Sequence, residues 1–141
     1  MKSLVLTFAL MVGSMGWAAA EEPREVSMVQ LIADPARFDG QAIRVIAYLH
    51  LQFEGDAVYL HHDDFRHAIM QNSIAIDLTD SQRQAAAKLN KTYVMVEGTF
   101  RANAAGHMGL WHGAVGEVSR LSAWTVDRTR QARPGKYKAL P

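Results

Sequence analysis

The stretch from Ile43 to Phe53 limits the possible folds of this chain more than any other. Ile43, Val45, Ala47, Leu49, Leu51 and Phe53 alternate with Arg44, Ile46, Tyr48, His50 and Gln52, the period of two that sends successive side chains to opposite faces of a strand. A strand of this length needs partners along its edges and a core against its apolar face. The following residues supply candidates. Glu54-Gly55-Asp56 forms a turn, and Ala57 to His62 reads as the returning strand, with Val58 and Leu60 inward and Tyr59 and His61 outward. A polar loop is expected from His62 to Asn72, followed by a third strand, Ser73 to Leu78, in which Ile74, Ile76 and Leu78 share a face.

Two helices are signalled by their N-termini. Ser27 with Gln30 three residues later makes a capping box, Val26 is placed to staple onto Leu31, and the helix should run from Met28 to about Ala33. Asp34-Pro35 ends it, because the residue before proline is pushed out of helical geometry, and Asp39-Gly40 turns the chain into the long strand. Thr79 with Gln82 repeats the capping signal ahead of the alanine-rich stretch Ser81 to Leu89. A fourth strand is expected over Tyr93 to Phe100, with Gly98 marking a bend or close approach, and a fifth from Ala114 to about Trp124, where Gly116 suggests a bulge. Asn103 to Gly113 is a glycine-rich loop between them.

Three strands, a helix and two strands is the order of a five-stranded Greek-key barrel of the OB type. The chain is therefore expected to be mainly β, with one short helix before the first strand and one between strands three and four. An open α+β sheet would leave a long apolar edge exposed, which closure removes. Val45, Leu49, Leu60, Ile76, Val94 and Val96 are the expected core, and Phe53 and Trp124 should plug the barrel ends.

The first twenty residues read as a secretory signal peptide: Lys2, an apolar run from Leu4 to Val12, and Ala18-Ala19-Ala20 before Glu21-Glu22. That run is short of the roughly 20 residues needed to cross a bilayer. The expected organisation is a signal at 1–20, one OB-like domain at 21–126 and a basic tail at 127–141, with a periplasmic or secreted address and no transmembrane segment after cleavage. The chain has no cysteine, which excludes disulfides, thiolate metal sites and a lipid-carrying cysteine. Residues 21–119 carry eight Lys and Arg against thirteen Asp and Glu, whereas residues 120–141 carry six against one. An acidic barrel does not supply the positive track that a nucleic-acid backbone requires, so nucleic acid is disfavoured as a ligand.

The elements Asp34-Pro35-x-x-Phe38-Asp39-Gly40, Val58-Tyr59-Leu60-His61, Val96-Glu97-Gly98-Thr99-Phe100 and Gly106-His107-Met108-Gly109-Leu110 together resemble a group of small exported bacterial proteins of OB-like build and uncharacterised role. The resemblance spans Val26 to Trp124 and implies a fold and an exported address, but no reaction.

The outward residues Tyr48, His50, Tyr59 and His61 are candidates for a stacking face, with His107 and Trp111 added from the loop before the last strand. The alternative is that the tyrosines pack beneath the N-terminal helix and that His107 locks its own loop. His61, Asp63, His67 and His107 are the candidate ligands if a divalent metal is bound, although no spacing here demands one. His61 and His107 are expected to approach each other across the barrel mouth. No serine sits in a nucleophile elbow, and Glu54 and Glu97 lie in different segments without a shared site, so no catalytic residue is assigned. The reading reached is an exported binding module for a peptide, glycan or envelope protein, without a cofactor. A histidine-dependent metal site and a structural envelope protein are the alternatives.

Overall fold

The structure, a computed structural model, describes residues 22–53, 55–104 and 110–126. The elements are β1 (Arg24–Glu25), α1 (Met28–Ala33), β2 (Ala42–His50), β3 (Ala57–Tyr59), α2 (His62–Arg66), β4 (Ser73–Ile76), α3 (Asp80–Ala86), β5 (Tyr93–Arg101) and β6 (Ala114–Ala123). β2, β3, β4, β6 and β5 pair in that order, and β5 returns to β2, closing a five-stranded barrel. All its pairings are antiparallel except β4 with β6. This is the OB-like barrel that the element order predicts. β1 adds a two-residue parallel pairing on β2 that the sequence reading lacks.

Local signals account for both expected helices. Ser27 and Gln30 cap α1 reciprocally, and Thr79 and Gln82 do the same for α3. Val26 and Leu31, the staple pair, both belong to the main core. Gly40 takes φ +74°, where a side chain would be strained, and lets the chain enter β2.

The core fills the barrel with Ile43, Val45, Leu49, Val58, Ile74, Ile76, Val94, Val96, Phe100 and Val115, and Met28, Leu31 and Phe38, from outside the barrel strands, join the same cluster. Gly98 stands where β5 and β6 nearly touch: a Cβ there would lie 2.6 Å from the Gly116 carbonyl oxygen. The register slips at this point, with Glu97 opposite Arg120 but Thr99 opposite Gly116, and Glu117 adopts φ 47°. The extra residues bring Val118 into the core beside Val115.

Several expectations are corrected. The long strand stops at His50, because the Asn90 side chain bonds both the N–H and the carbonyl of Leu51 and so replaces a strand partner. Phe53 therefore lies in the turn beyond the sheet and is 88 % exposed instead of plugging the barrel. Leu60 is only half-buried, and Trp124, one residue beyond β6, is exposed. The polar loop after His62 contains α2 and a single 3₁₀ turn at Met70–Asn72. The buried Asp64 organises this segment, accepting hydrogen bonds from His61 N–H at 2.9 Å and from Asn72 Nδ2 at 2.7 Å.

Candidate functional site

The outward faces of β2, β5 and β6 form a regular grid. Pairing sets Tyr48 opposite Tyr93, Ile46 opposite Met95 and Arg44 opposite Glu97. On the far side of β5, Met95 faces Ser122 and Glu97 faces Arg120, while Trp124 N–H bonds the Tyr93 carbonyl at 2.8 Å. Directly opposed residues share a face. The grid thus has an aromatic row (Tyr48, Tyr93, Trp124), a middle row (Ile46, Met95, Ser122) and a charged row (Arg44, Glu97, Arg120).

Over this grid opens a groove of about 570 Å³, walled by Val26 and Met28 on one side and by Leu60 and His61 on the other. Ile46 is 42 % exposed on the solvent side of β2, where polar residues are expected, and Trp124, just beyond β6, is 43 % exposed. The charged row is spent internally. Arg44 Nε donates to Glu97 Oε1 at 2.7 Å, Arg120 approaches the same oxygen at 3.6 Å, and Glu25 lies 3.6 Å from Arg44. The hydrogen bond to Glu97 holds the Arg44 pKa above the usual guanidinium value.

The stacking face expected of Tyr48, His50 and Tyr59 is present as a cluster but not as an open surface. Phe65, carried by α2, covers it, stacking on His50 at 4.0 Å and meeting Tyr59 edge-on at 5.6 Å. All three residues are buried. The cover is α2, not the N-terminal helix. Burial raises the pKa of Tyr48 and Tyr59 and lowers that of His50, whose Nδ1 has no hydrogen-bond partner among the described residues. Trp111 is buried in a second small core with Ala57, Ala75 and Ala114. His61 is exposed on the groove wall.

Asp63 and His67 are exposed at α2; Asp63 lies 3.5 Å from His62 Nδ1 and 3.8 Å from Arg66, and no group of three potential metal ligands converges among the described residues. His107 and its expected approach to His61 lie outside the described residues, as do the expected signal segment at 1–20 and the expected tail at 127–141. No described helix is long and apolar enough to cross a membrane.

Sequence reasoning missed the groove residues Ile46, Met95, Tyr93 and Trp124 as a set. The signal was available in part: Ile46 and Met95 are apolar residues at positions that alternation assigns to solvent.

No protein-family model and no curated protein matches the chain. Solved structures with a similar fold include a DUF3299 family protein from Pseudomonas aeruginosa, 10 % identical over 75 % of this chain and 99 % of that one, with a TM-score of 0.48. Another is a chain in the Stn1–Ten1 complex of S. pombe, 16 % identical over 80 % of this chain and 88 % of that one, with a TM-score of 0.47.

Proposed function

We propose that this chain is an exported binding module that takes an apolar segment of a peptide or partner protein into the groove over β2, β5 and β6. One observation carries the reading: Ile46, Tyr93 and Trp124 are large, exposed and contiguous on a sheet face, beside an open volume of about 570 Å³. That volume falls in the usual range for ligand sites, roughly 300–1,000 Å³. A glycan is favoured less, because the groove's guanidinium, Arg44, is already engaged by Glu97 at 2.7 Å and faces Glu25 at 3.6 Å. Anchors of this type, a Trp and a Tyr with aliphatic neighbours, are those that dominate protein interfaces. Export rests on the leader-like first twenty residues.

Peptide-display selection against the mature chain should yield sequences rich in apolar residues, and their amide-shift changes should map to Ile46, Met95, Ser122 and Trp124. Ile46→Asp should abolish that binding while leaving the fold intact, since the side chain faces water. Selected peptides that bind Ile46→Asp as well as wild type would refute the assignment. For export, envelope material should begin at Glu21; a cytoplasmic protein beginning at Met1 would refute it.

A further inference from the structure

A second cleft, of about 410 Å³, lies between the β2–β3 turn, the end of β4 and the start of α3, with Phe53, Asp56, Asp77, Asp80, Arg83 and Trp111 in its walls. Its charges do not balance. Asp56 is committed, accepting from Arg83 Nε at 2.8 Å and from the Gln52 N–H at 3.0 Å. Arg83 also donates to the Gln52 carbonyl at 2.9 Å, so it is fixed in place by the turn. Asp77 and Asp80 are exposed and hold no ion pair within 4.0 Å among the described residues. Three carboxylates thus surround one guanidinium.

Two further observations point to a ligand. Phe53 leaves almost its whole ring in water on the rim of this acidic cleft. An aromatic face beside carboxylates in excess of the one guanidinium is the arrangement that attracts an organic cation, through the ring quadrupole and the negative charge together. Trp111, only 4 % exposed in the cleft wall, has an Nε1–H without an acceptor among the described residues. A buried donor in that state lacks a hydrogen-bond partner that a ligand carbonyl is suited to provide.

We propose that this cleft binds an arginine or lysine side chain of a basic peptide segment, with the cation held by Asp77 and Asp80 against the Phe53 ring and a peptide carbonyl placed near Trp111. The site is separate from the groove over β2, β5 and β6 and does not depend on it. The ligand chemistry has two possible sources, a separate polypeptide or this chain's own C-terminal residues, which include Arg128, Arg130 and Arg133.

The test titrates the mature full-length chain with the acetylated, amidated peptide Arg-Thr-Arg-Gln-Ala-Arg, the sequence of residues 128–133. Amide shifts should move at Phe53, Asp77 and Asp80, together with the Trp111 indole N–H. The double variant Asp77→Asn and Asp80→Asn should weaken binding at least tenfold, and Phe53→Ala several-fold. Because these three side chains are exposed, the variants should fold. Ile46→Asp should have no effect on this peptide. The same peptide with citrulline in place of arginine should not bind. Equal binding of the citrulline peptide, or unchanged affinity in the double Asn variant, would overturn the proposal. Replacing Arg128, Arg130 and Arg133 with Gln in the protein identifies the source. Tighter binding of the added peptide assigns the cleft to the chain's own terminus, and unchanged binding assigns it to a separate polypeptide.

Discussion

Gly98→Ala tests the central feature of the barrel, the near-contact of β5 and β6. The new methyl would sit 2.6 Å from the Gly116 carbonyl oxygen, 2.8 Å from Val115 Cγ1 and 3.3 Å from Val118 Cα. The first of these is about 0.8 Å short of the 3.4 Å at which ordinary contact begins. Neither Gly116 nor Val115 can yield by rotating a flexible side-chain end. The one is backbone, and the other is a buried β-branched residue paired with Phe100. The strands must therefore separate, at the upper end of the roughly 1–3 kcal/mol that overpacking costs. Loss of glycine's unfolded-state entropy returns about 0.4–1 kcal/mol. A net destabilisation of about 2 kcal/mol follows, which lowers the urea midpoint by about 1–2 M for a domain of this size. Gly116→Ala is the control, because its methyl would find Asp77 Oδ2 at an unstrained 3.6 Å, so only the unfolded-state term remains and stability should stay level or rise by up to about 1 kcal/mol. If Gly98→Ala unfolds within half a kcal/mol of wild type, or if both variants cost the same, the close approach is not what requires glycine at position 98.

Asp64→Ala should cost about 1–3 kcal/mol by leaving the His61 N–H and the Asn72 amide without their acceptor, and amide exchange should accelerate across residues 61–72 before the rest of the barrel. Leu60→Ala should cost about 1–2 kcal/mol, below the range for a fully buried leucine, because the side chain is half-exposed on the groove wall; a denaturant series giving more than 3 kcal/mol would mean that it is core. Burial against Phe65 lowers the His50 pKa in the folded state, so below about pH 6.5 the unfolded chain binds a proton that the folded chain resists. Stability should then fall as pH drops through that range, and His50→Gln should flatten this part of the pH profile; an unchanged slope would show that His50 is not its source.

Features that depend on neighbours a few residues apart are legible in the sequence alone. The two capping boxes, Ser27 with Gln30 and Thr79 with Gln82, are i,i+3 interactions, and both helices begin where these place them. The alternation around Val45, Val58, Ile74 and Val94 fixed which face each strand buries, and the order of elements left an OB-like barrel as its economical closure. Of the candidate functional residues, Tyr48, His50 and Tyr59 could be grouped in advance, but not the fact that they are covered. That depends on α2, whose five residues are held by Asp64 reaching Asn72 and by Phe65 entering the aromatic cluster. A helix so short has no helical stability of its own to announce it. The groove was decided by tertiary structure for the same reason. Residues 42–48 meet residues 93–99, which in turn meet residues 114–123, and only those pairings bring Ile46, Met95 and Trp124 onto one face. Within any single strand each of them is an isolated apolar residue on the solvent side, which is ordinary in folded proteins and carries no meaning until its neighbours across the sheet are known.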